Sequence, residues 1–300
     1  MNSLAGVYAA ALTPLKADYS PDLQAIPGLL DFLARRGCHG ALILGTTGEG
    51  PSFSPDERVE IFRAALEIRK LQPDFHLLAG TGTPSLTETI SLTRTAFDLG
   101  YEAAVVLPPY YFHNVSEDGL FAYFSELIRR AIPGDGQFFI YHIPSLTGVM
   151  LSIPWLRRLK QFFPRQFGGL KDSSHQADFA RQLGESFGEQ LTIFTGTDSL
   201  FEAALENRAA GCITAPANLI SPELRRVWDA WQAGKGANLP QERVSAIRHI
   251  LEKYPPFPPI LKALLARQHG FPLWSVRPPL MGTGADQAEM ARAELQAGGY

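Results

Sequence analysis

The clearest candidate for a reactive side chain in this sequence is a lysine that directly follows an apolar, strand-like run. Lys171 comes after residues 167–170, and it is the only one of the seven lysines in such a position. An ammonium at the mouth of a packed core loses hydration, which favours the neutral amine, and that amine attacks carbonyl carbon to form an imine. The position also suits a lysine that reaches solvent or pairs with Asp172.

A tyrosine ends the strand-like run before it, over residues 138–141. Imine formation needs several proton transfers, and Tyr141 can serve them because a phenol both donates and accepts hydrogen bonds. The alternative is an aromatic side chain that only packs at the strand end. The side chain of the next residue, His142, should point to the opposite face of the strand. We therefore expect it in the layer between strands and helices as a packed, hydrogen-bonded histidine.

A glycine–threonine loop, residues 45–50, follows the second strand-like run and reads Gly45-Thr46-Thr47-Gly48-Glu49-Gly50. Its glycines allow a tight turn and a close approach to a ligand, and its hydroxyls and exposed amides suit a carboxylate. Such turns are common, so the motif alone is weak. We expect Glu49 to be a buried structural partner rather than an acid–base group.

Several other chemistries are excluded by spacing and composition. None of the seven histidines forms an H-E-x-x-H or similar pair, and no serine stands in a G-x-S-x-G elbow. Cys38 and Cys212 are the only cysteines, which excludes a disulfide scaffold. The sequence therefore predicts an enzyme with reduced thiols that needs no metal or other cofactor.

Charge and hydropathy exclude two classes of partner. The 300 residues carry a net charge of −3, so there is no cationic surplus for nucleic acid or anionic lipid. No apolar run approaches the ~20 residues that a membrane helix needs. The first six residues lack the basic start and apolar stretch of a signal peptide. We expect a cytoplasmic protein that acts on a small molecule.

Strand-like runs alternate with amphipathic segments along most of the chain. One amphipathic segment begins at Ser54-Pro55-Asp56-Glu57, which has the spacing of a capping box. Eight strand–helix units predict an α/β fold, the closed (β/α)8 TIM barrel, whose active site lies at the carboxyl ends of the strands. The alternative is an open doubly wound sheet, but its G-x-G-x-x-G turn is absent. The expected strands are residues 7–12, 40–44, 76–79, 103–107, 138–141, 167–170, 191–194 and 212–214.

After about residue 234 the strand-like runs stop. Helices are expected over residues 240–251, 259–269 and 286–296, with residues 254–259 as an extended, proline-rich linker. The sequence thus predicts a barrel over residues 1–234 that carries the active site. A helical region over residues 235–300 is expected to pack on it.

Three motifs in this order resemble the dihydrodipicolinate synthase / N-acetylneuraminate lyase family. They are the glycine–threonine loop, the stretch from Tyr141 to Gly148 and Gly169-Leu170-Lys171-Asp172. The resemblance extends over nearly the whole chain, which makes it far more specific than any single motif. It also includes Thr13-Pro14, Pro109-Tyr110-Tyr111, Gly196-Thr197-Asp198 and Val276-Arg277-Pro278-Pro279.

The resemblance implies a class I mechanism in which pyruvate, or a 2-oxo acid that releases it, forms an imine with Lys171. Tyr141 would shuttle protons, and Thr46 and Thr47 would hold the pyruvoyl carboxylate. Thr47 would also relay protons to Tyr111, which in this family reaches in from a neighbouring subunit, so a dimer unit and a homotetramer are expected. The other expected substrate-binding positions are Gly48, Ser173, Gly196, Asp198 and Ile213. By the resemblance, Asp198 would meet substrate hydroxyls and the backbone of Ile213 would lie beside the pyruvoyl group. Ser173 is expected on the same rim as Asp198, where it would add hydroxyl-binding capacity.

One departure from the family bears on the substrate. Leu146 stands where the synthase branch has an arginine that binds the carboxylate of the second substrate, and leucine cannot form that bidentate ion pair. The leading hypothesis is a lyase or aldolase for a 2-oxo acid such as a 2-keto-3-deoxy sugar acid. The alternatives are 4-hydroxy-tetrahydrodipicolinate synthase, 4-hydroxy-2-oxoglutarate aldolase and a non-catalytic protein that binds 2-oxo acids.

Overall fold

Eight parallel strands close into a barrel in the computed structural model, which describes residues 4–300. Each strand pairs with its neighbours in chain order, and the eighth closes on the first with Gly6 opposite Gly211. The predicted TIM barrel is confirmed, and the open sheet is excluded. The prediction that the first six residues are not a signal peptide falls partly on residues 1–3, which lie outside the described residues. The strands are β1 Gly6–Ala10, β2 Gly40–Ile43, β3 His76–Gly80, β4 Ala103–Val106, β5 Gln137–His142, β6 Phe167–Asp172, β7 Thr192–Thr195 and β8 Gly211–Thr214.

Helices cover the outside of the barrel and continue beyond it. The second helix begins with the predicted capping box, in which Ser54 Oγ accepts from the Glu57 N–H and the Glu57 carboxylate accepts from the Ser54 N–H. The helices are α1 Ala25–Arg35, α2 Pro55–Leu66, α3 Leu86–Asp98, α4 Glu117–Ala131, α5 Pro144–Thr147, α6 Ile153–Phe162, α7 Ala177–Phe187, α8 Phe201–Glu206, α9 Ala217–Gln232, α10 Asn238–Leu251, α11 Phe257–His269 and α12 Ala285–Ala297.

Strand register decides which side chains share the barrel interior. Tyr141 on β5 lies opposite Lys171 on β6, which in turn lies opposite Phe194 on β7. Because successive strand residues point to opposite faces, the next pair, His142 and Asp172, points into the layer under the helices. Apolar side chains fill the interior below the lysine, so a polar site can open only at the carboxyl end. They include Tyr8, Leu42, Leu78, Phe139, Phe194 and Ile213.

Helices α10 to α12 follow the barrel close to the predicted positions, and their apolar faces belong to the same core as α1 and α9. The prediction that residues 254–259 form an extended linker is wrong in its second half, because α11 begins at Phe257. Pro258 and Pro259 lie in the first turn of that helix, where an N–H would have no intrahelical acceptor, so proline is tolerated there. An irregular segment, residues 270–284, then connects α11 to α12.

An ion pair between this irregular segment and α2 gives a stability prediction. A hydrogen bond from Arg277 is the main reason that the pKa of Glu57 lies at about 2 instead of 4.5. The pair therefore stabilises the fold above pH 4.5, and this contribution is lost as the pH falls towards 2. Glu57→Gln keeps the capping box but loses the charge, so we expect it to lower the free energy of unfolding at pH 7 by about 1–2 kcal/mol.

Urea unfolding of both proteins across this pH range checks that expectation. The difference in unfolding free energy should shrink as the pH falls and vanish near the bottom of the window. Glu60→Gln, an exposed change on the same helix, is the matched control and should show no such trend. A difference for Glu57→Gln that is constant with pH would contradict the assigned ion pair.

Candidate active site

Lys171 and Tyr141 form the centre of the site at the carboxyl ends of β6 and β5. Both are buried, with 3% and 5% of the residue surface exposed, and Lys171 Nζ lies 4.0 Å from the centroid of the Tyr141 ring. The predicted alternative, a lysine that reaches solvent, is therefore wrong. The pairing with Asp172 does not occur either, since the register turns that carboxylate away from the interior and towards His142.

The surroundings of the Tyr141 phenol favour proton exchange. Burial on its own raises the pKa of Tyr141, but the charge on Lys171 and hydrogen bonds with Thr46, Lys171 and Ser173 outweigh it, so the pKa lies below its ordinary value of 10.0. The Thr46 hydroxyl lies 3.4 Å from the phenol oxygen. A lowered pKa makes the phenolate more accessible near neutral pH, as a proton shuttle requires.

The glycine–threonine loop turns back over the end of β2. The Thr13 hydroxyl donates to the Gly48 carbonyl at 2.7 Å, and the Gly50 N–H donates to the Gly45 carbonyl at 3.1 Å. A Cβ on Gly50 would lie 2.1 Å from the Leu44 carbonyl oxygen, so only glycine fits this close approach. The loop leaves Thr46 exposed at the mouth and Thr47 buried behind it.

Ser173 and Gly196 complete the rim on the far side of Lys171. The Ser173 N–H donates to the His142 carbonyl at 2.7 Å, and its side chain hydrogen-bonds to Tyr141. A Cβ on Gly196 would lie 1.9 Å from Ser173 Oγ, so the glycine makes room for that hydroxyl. Ile213 is fully buried in the same interior cluster as Tyr141. The structure thus brings Ser173 and Ile213 close to Tyr141, with Gly196 against Ser173.

Two predicted residues stand apart from this group. Asp198 is fully buried, and its Oδ1 accepts from Arg248 Nη1 of α10 at 2.5 Å. Burial raises the pKa of Asp198, and the guanidinium opposes that shift. Its contact with substrate hydroxyls stays a prediction. Tyr111 is 73% exposed and packs edge-to-face on Phe112, so within one chain its hydroxyl does not join the buried cluster.

Two neighbouring polar residues have structural roles. His142 is buried, its Nδ1 lies 3.0 Å from Asp172 Oδ1, and its Nε2 lies 3.4 Å from the Leu151 nitrogen. The backbone N–H at Nε2 places the ring proton on Nδ1, so His142 is the packed histidine that the sequence predicts. Glu49 is buried in an ion pair with Lys262, which confirms its predicted structural role.

Lys262 was not predicted from the sequence. It lies on α11 and is the only charged residue among eight consecutive buried positions of that helix, Pro258 to Leu265. A lone lysine within such an apolar stretch indicates a buried partner, because lysine is almost never fully buried without one.

Comparison with known proteins assigns the family. The model of the dihydrodipicolinate synthetase family matches residues 3–297. The chain belongs to this family. Its members are lyases and aldolases, so the protein is an enzyme of the lyase class with aldolase-type chemistry.

Relatives within the dihydrodipicolinate synthetase family include lyases and synthases. The chain is 40% identical to an uncharacterized DapA-like lyase of Chloroflexus aurantiacus over 97% of its length and 96% of that protein. It is 30% identical to the 4-hydroxy-tetrahydrodipicolinate synthase of Synechococcus sp. over 93% of its length and 90% of that protein. The DHDPS structure from Cyanidioschyzon merolae has a TM-score of 0.91, 24% identity and coverage of 100% and 99%. That likeness shows the shared fold.

The described residues also bear on membranes and metal ions as predicted partners. No helix among residues 4–300 is long and apolar enough to cross a membrane. Within the same residues, no group of three or more His, Cys, Asp or Glu side chains could hold a metal ion.

Proposed function

We propose that this protein is a cytoplasmic pyruvate-dependent aldolase that cleaves a 2-oxo acid, or forms one in the reverse direction, through an imine on Lys171. The observation that carries the proposal is the buried Lys171 amine 4.0 Å from the Tyr141 ring. A non-catalytic binding protein would not need a nucleophile beside a phenol whose pKa is lowered.

The chemistry follows from these two groups. Lys171 Nζ attacks the C2 carbonyl, and water leaves as the imine forms. Tyr141 accepts the proton of the C4 hydroxyl, the C3–C4 bond breaks, and its electron pair passes into the enamine as the aldehyde leaves. Protonation of C3 and hydrolysis of the imine then release pyruvate and restore the amine.

Loop and subunit contacts complete the proposed site. The hydroxyls of Thr46 and Thr47 and the backbone at Gly48 would hold the pyruvoyl carboxylate, and Ser173, Asp198 and Ile213 would face the rest of the substrate. Tyr111 would come from a second copy of the chain, in a dimer that pairs into a homotetramer. The exposed Tyr111 ring supports this, because burying such a side chain at an interface is favourable by about 1.5–3 kcal/mol.

Leu146 supports a substrate whose distal part is uncharged. It lies on α5, just beyond the strand that carries Tyr141, and is 61% exposed. An apolar side chain there cannot neutralise a second carboxylate. A hydroxylated tail, as in a 2-keto-3-deoxy sugar acid, would instead use the polar groups of Ser173 and Asp198.

Arg58 favours the second candidate, 4-hydroxy-tetrahydrodipicolinate synthase. This buried arginine lines the same cavity as Thr46 and Tyr141, and its Nη2 donates to the Gly80 carbonyl at 2.8 Å. Among residues 4–300 no carboxylate lies within ion-pair distance of it. Its charge could therefore serve the carboxylate of aspartate semialdehyde.

A comparison of two assays decides between these candidates. The unmodified protein should release pyruvate from a 2-keto-3-deoxy sugar acid faster than it condenses pyruvate with aspartate semialdehyde. Leu146→Arg should shift that ratio towards the carboxylated aldehyde by about tenfold or more, since a charged hydrogen bond is worth roughly 1.5–3 kcal/mol. Efficient condensation by the unmodified protein, lost in Arg58→Leu, would establish the synthase instead.

A further inference from the structure

A buried ion pair joins the C-terminal helices to the glycine–threonine loop. Lys262 Nζ on α11 lies 2.6 Å from Glu49 Oε1, and the two side chains are 1% and 0% exposed. The second carboxylate oxygen accepts the Arg277 N–H at 2.9 Å, and Lys262 also donates to the Ser275 carbonyl at 2.6 Å. Both oxygens of Glu49 are thus held by residues more than 200 positions away in the chain.

The loop needs this anchor because its backbone is strained at the same residue. Glu49 has a φ of +57°, a left-handed conformation that is uncommon for residues other than glycine. Its N–H donates to the Thr46 carbonyl at 3.1 Å and closes the turn that carries Thr46 and Thr47. A strained conformation persists only when the surrounding contacts hold it, and the side-chain contacts of Glu49 do so here.

A buried ion pair is by itself weak evidence for stability, because apolar residues of similar volume often replace one without loss. The left-handed turn at Glu49 points instead to a geometric role for the pair. Burial lowers the pKa of Lys262, and the Glu49 carboxylate opposes that shift. The charged groups that face Glu49 are Lys262 and, less closely, the Arg277 guanidinium, which is already paired with Glu57. Removing the lysine would therefore leave a largely uncompensated negative charge beside the loop.

We propose that Lys262 is a positioning residue, which acts through Glu49 to hold the glycine–threonine loop in the shape that receives the pyruvoyl carboxylate. The ligand in this statement rests on the proposed function. Lys262 itself touches no reacting atom, so its loss should weaken substrate binding more than it slows the chemical steps.

Lys262→Met tests this role, because methionine fills a similar volume without the charge. We expect the KM of the pyruvate-releasing substrate to rise about tenfold, with kcat within about threefold of the unmodified protein. A purely structural role would lower stability without this separation of KM from kcat.

Two variants complete the test. Glu49→Gln/Lys262→Met removes both charges, so it should fold even where the single variant does not, with a KM raised about tenfold and kcat within about threefold. Glu57→Gln weakens the same irregular segment without touching Glu49, and its KM should be unchanged. Wild-type KM in the double variant, or an equal rise in Glu57→Gln, would overturn the positioning role. Failure of the unmodified protein to form a pyruvate adduct would overturn the proposed function instead.

Discussion

Replacement of Lys171 by alanine is expected to lower the rate of pyruvate release by about 10⁴-fold or more, because the imine that carries the reaction can no longer form. The barrel should stay folded, since the side chain lies at the open end of the strands and the interior below it is apolar. Steady-state assays of pyruvate release, with thermal unfolding measured on the same preparations, check both parts.

A lysine on α6, beside the start of β6, provides the matched control. Lys160 donates to the carbonyls of Pro164 and Phe167, where β6 begins. Lys160→Ala removes these hydrogen bonds and should cost some stability while leaving turnover intact. Turnover in Lys171→Ala that approaches the unmodified rate would contradict the class I mechanism.

Tyr141→Phe should reduce turnover by about 10²–10⁴-fold, if proton transfer limits the rate, without loss of the fold. The ring stays to pack against Lys171, but the hydroxyl that Thr46 and Ser173 prepare for proton exchange is gone. The imine itself should still form slowly, so trapped adduct should accumulate while pyruvate release falls. Parallel measurement of adduct and turnover separates these steps.

Tyr8→Phe is the control for loss of a buried hydroxyl. Tyr8 lies deeper in the barrel interior, and its hydroxyl is buried without a hydrogen-bond partner among the described residues. Its removal should leave turnover unchanged and stability unchanged or higher, because an unsatisfied buried polar group is unfavourable. If Tyr141→Phe behaves like Tyr8→Phe, the hydroxyl of Tyr141 has no role in proton transfer.

Most of the fold could be predicted from local sequence patterns. The eight strands were predictable because each is a short apolar run that must be buried on both faces, and every one lies within about two residues of its expected position. The proximity of Lys171 to Tyr141 was predictable too. Each residue lies at the end of a strand, and strands that follow one another in the sequence are neighbours in the barrel. The start of α11 was not predicted, because proline usually breaks a helix but is tolerated in the first turn, where these prolines lie.

Partners distant in sequence could not be predicted. The ion pairs of Glu49 with Lys262 and of Asp198 with Arg248 both join the barrel to C-terminal helices. Which side chains meet there depends on how those helices dock, and no local periodicity encodes that arrangement. The same limit applies to Tyr111, because the role proposed for its exposed ring depends on a second copy of the chain.

The most direct test of the account is covalent trapping on the unmodified protein. Borohydride is added in the presence of pyruvate, and the intact mass and the modified peptide are measured by mass spectrometry. Reduction of the imine should add one three-carbon unit per chain, on Lys171 and on none of the other six lysines. An unmodified Lys171 in folded, pyruvate-saturated protein would contradict the proposed mechanism.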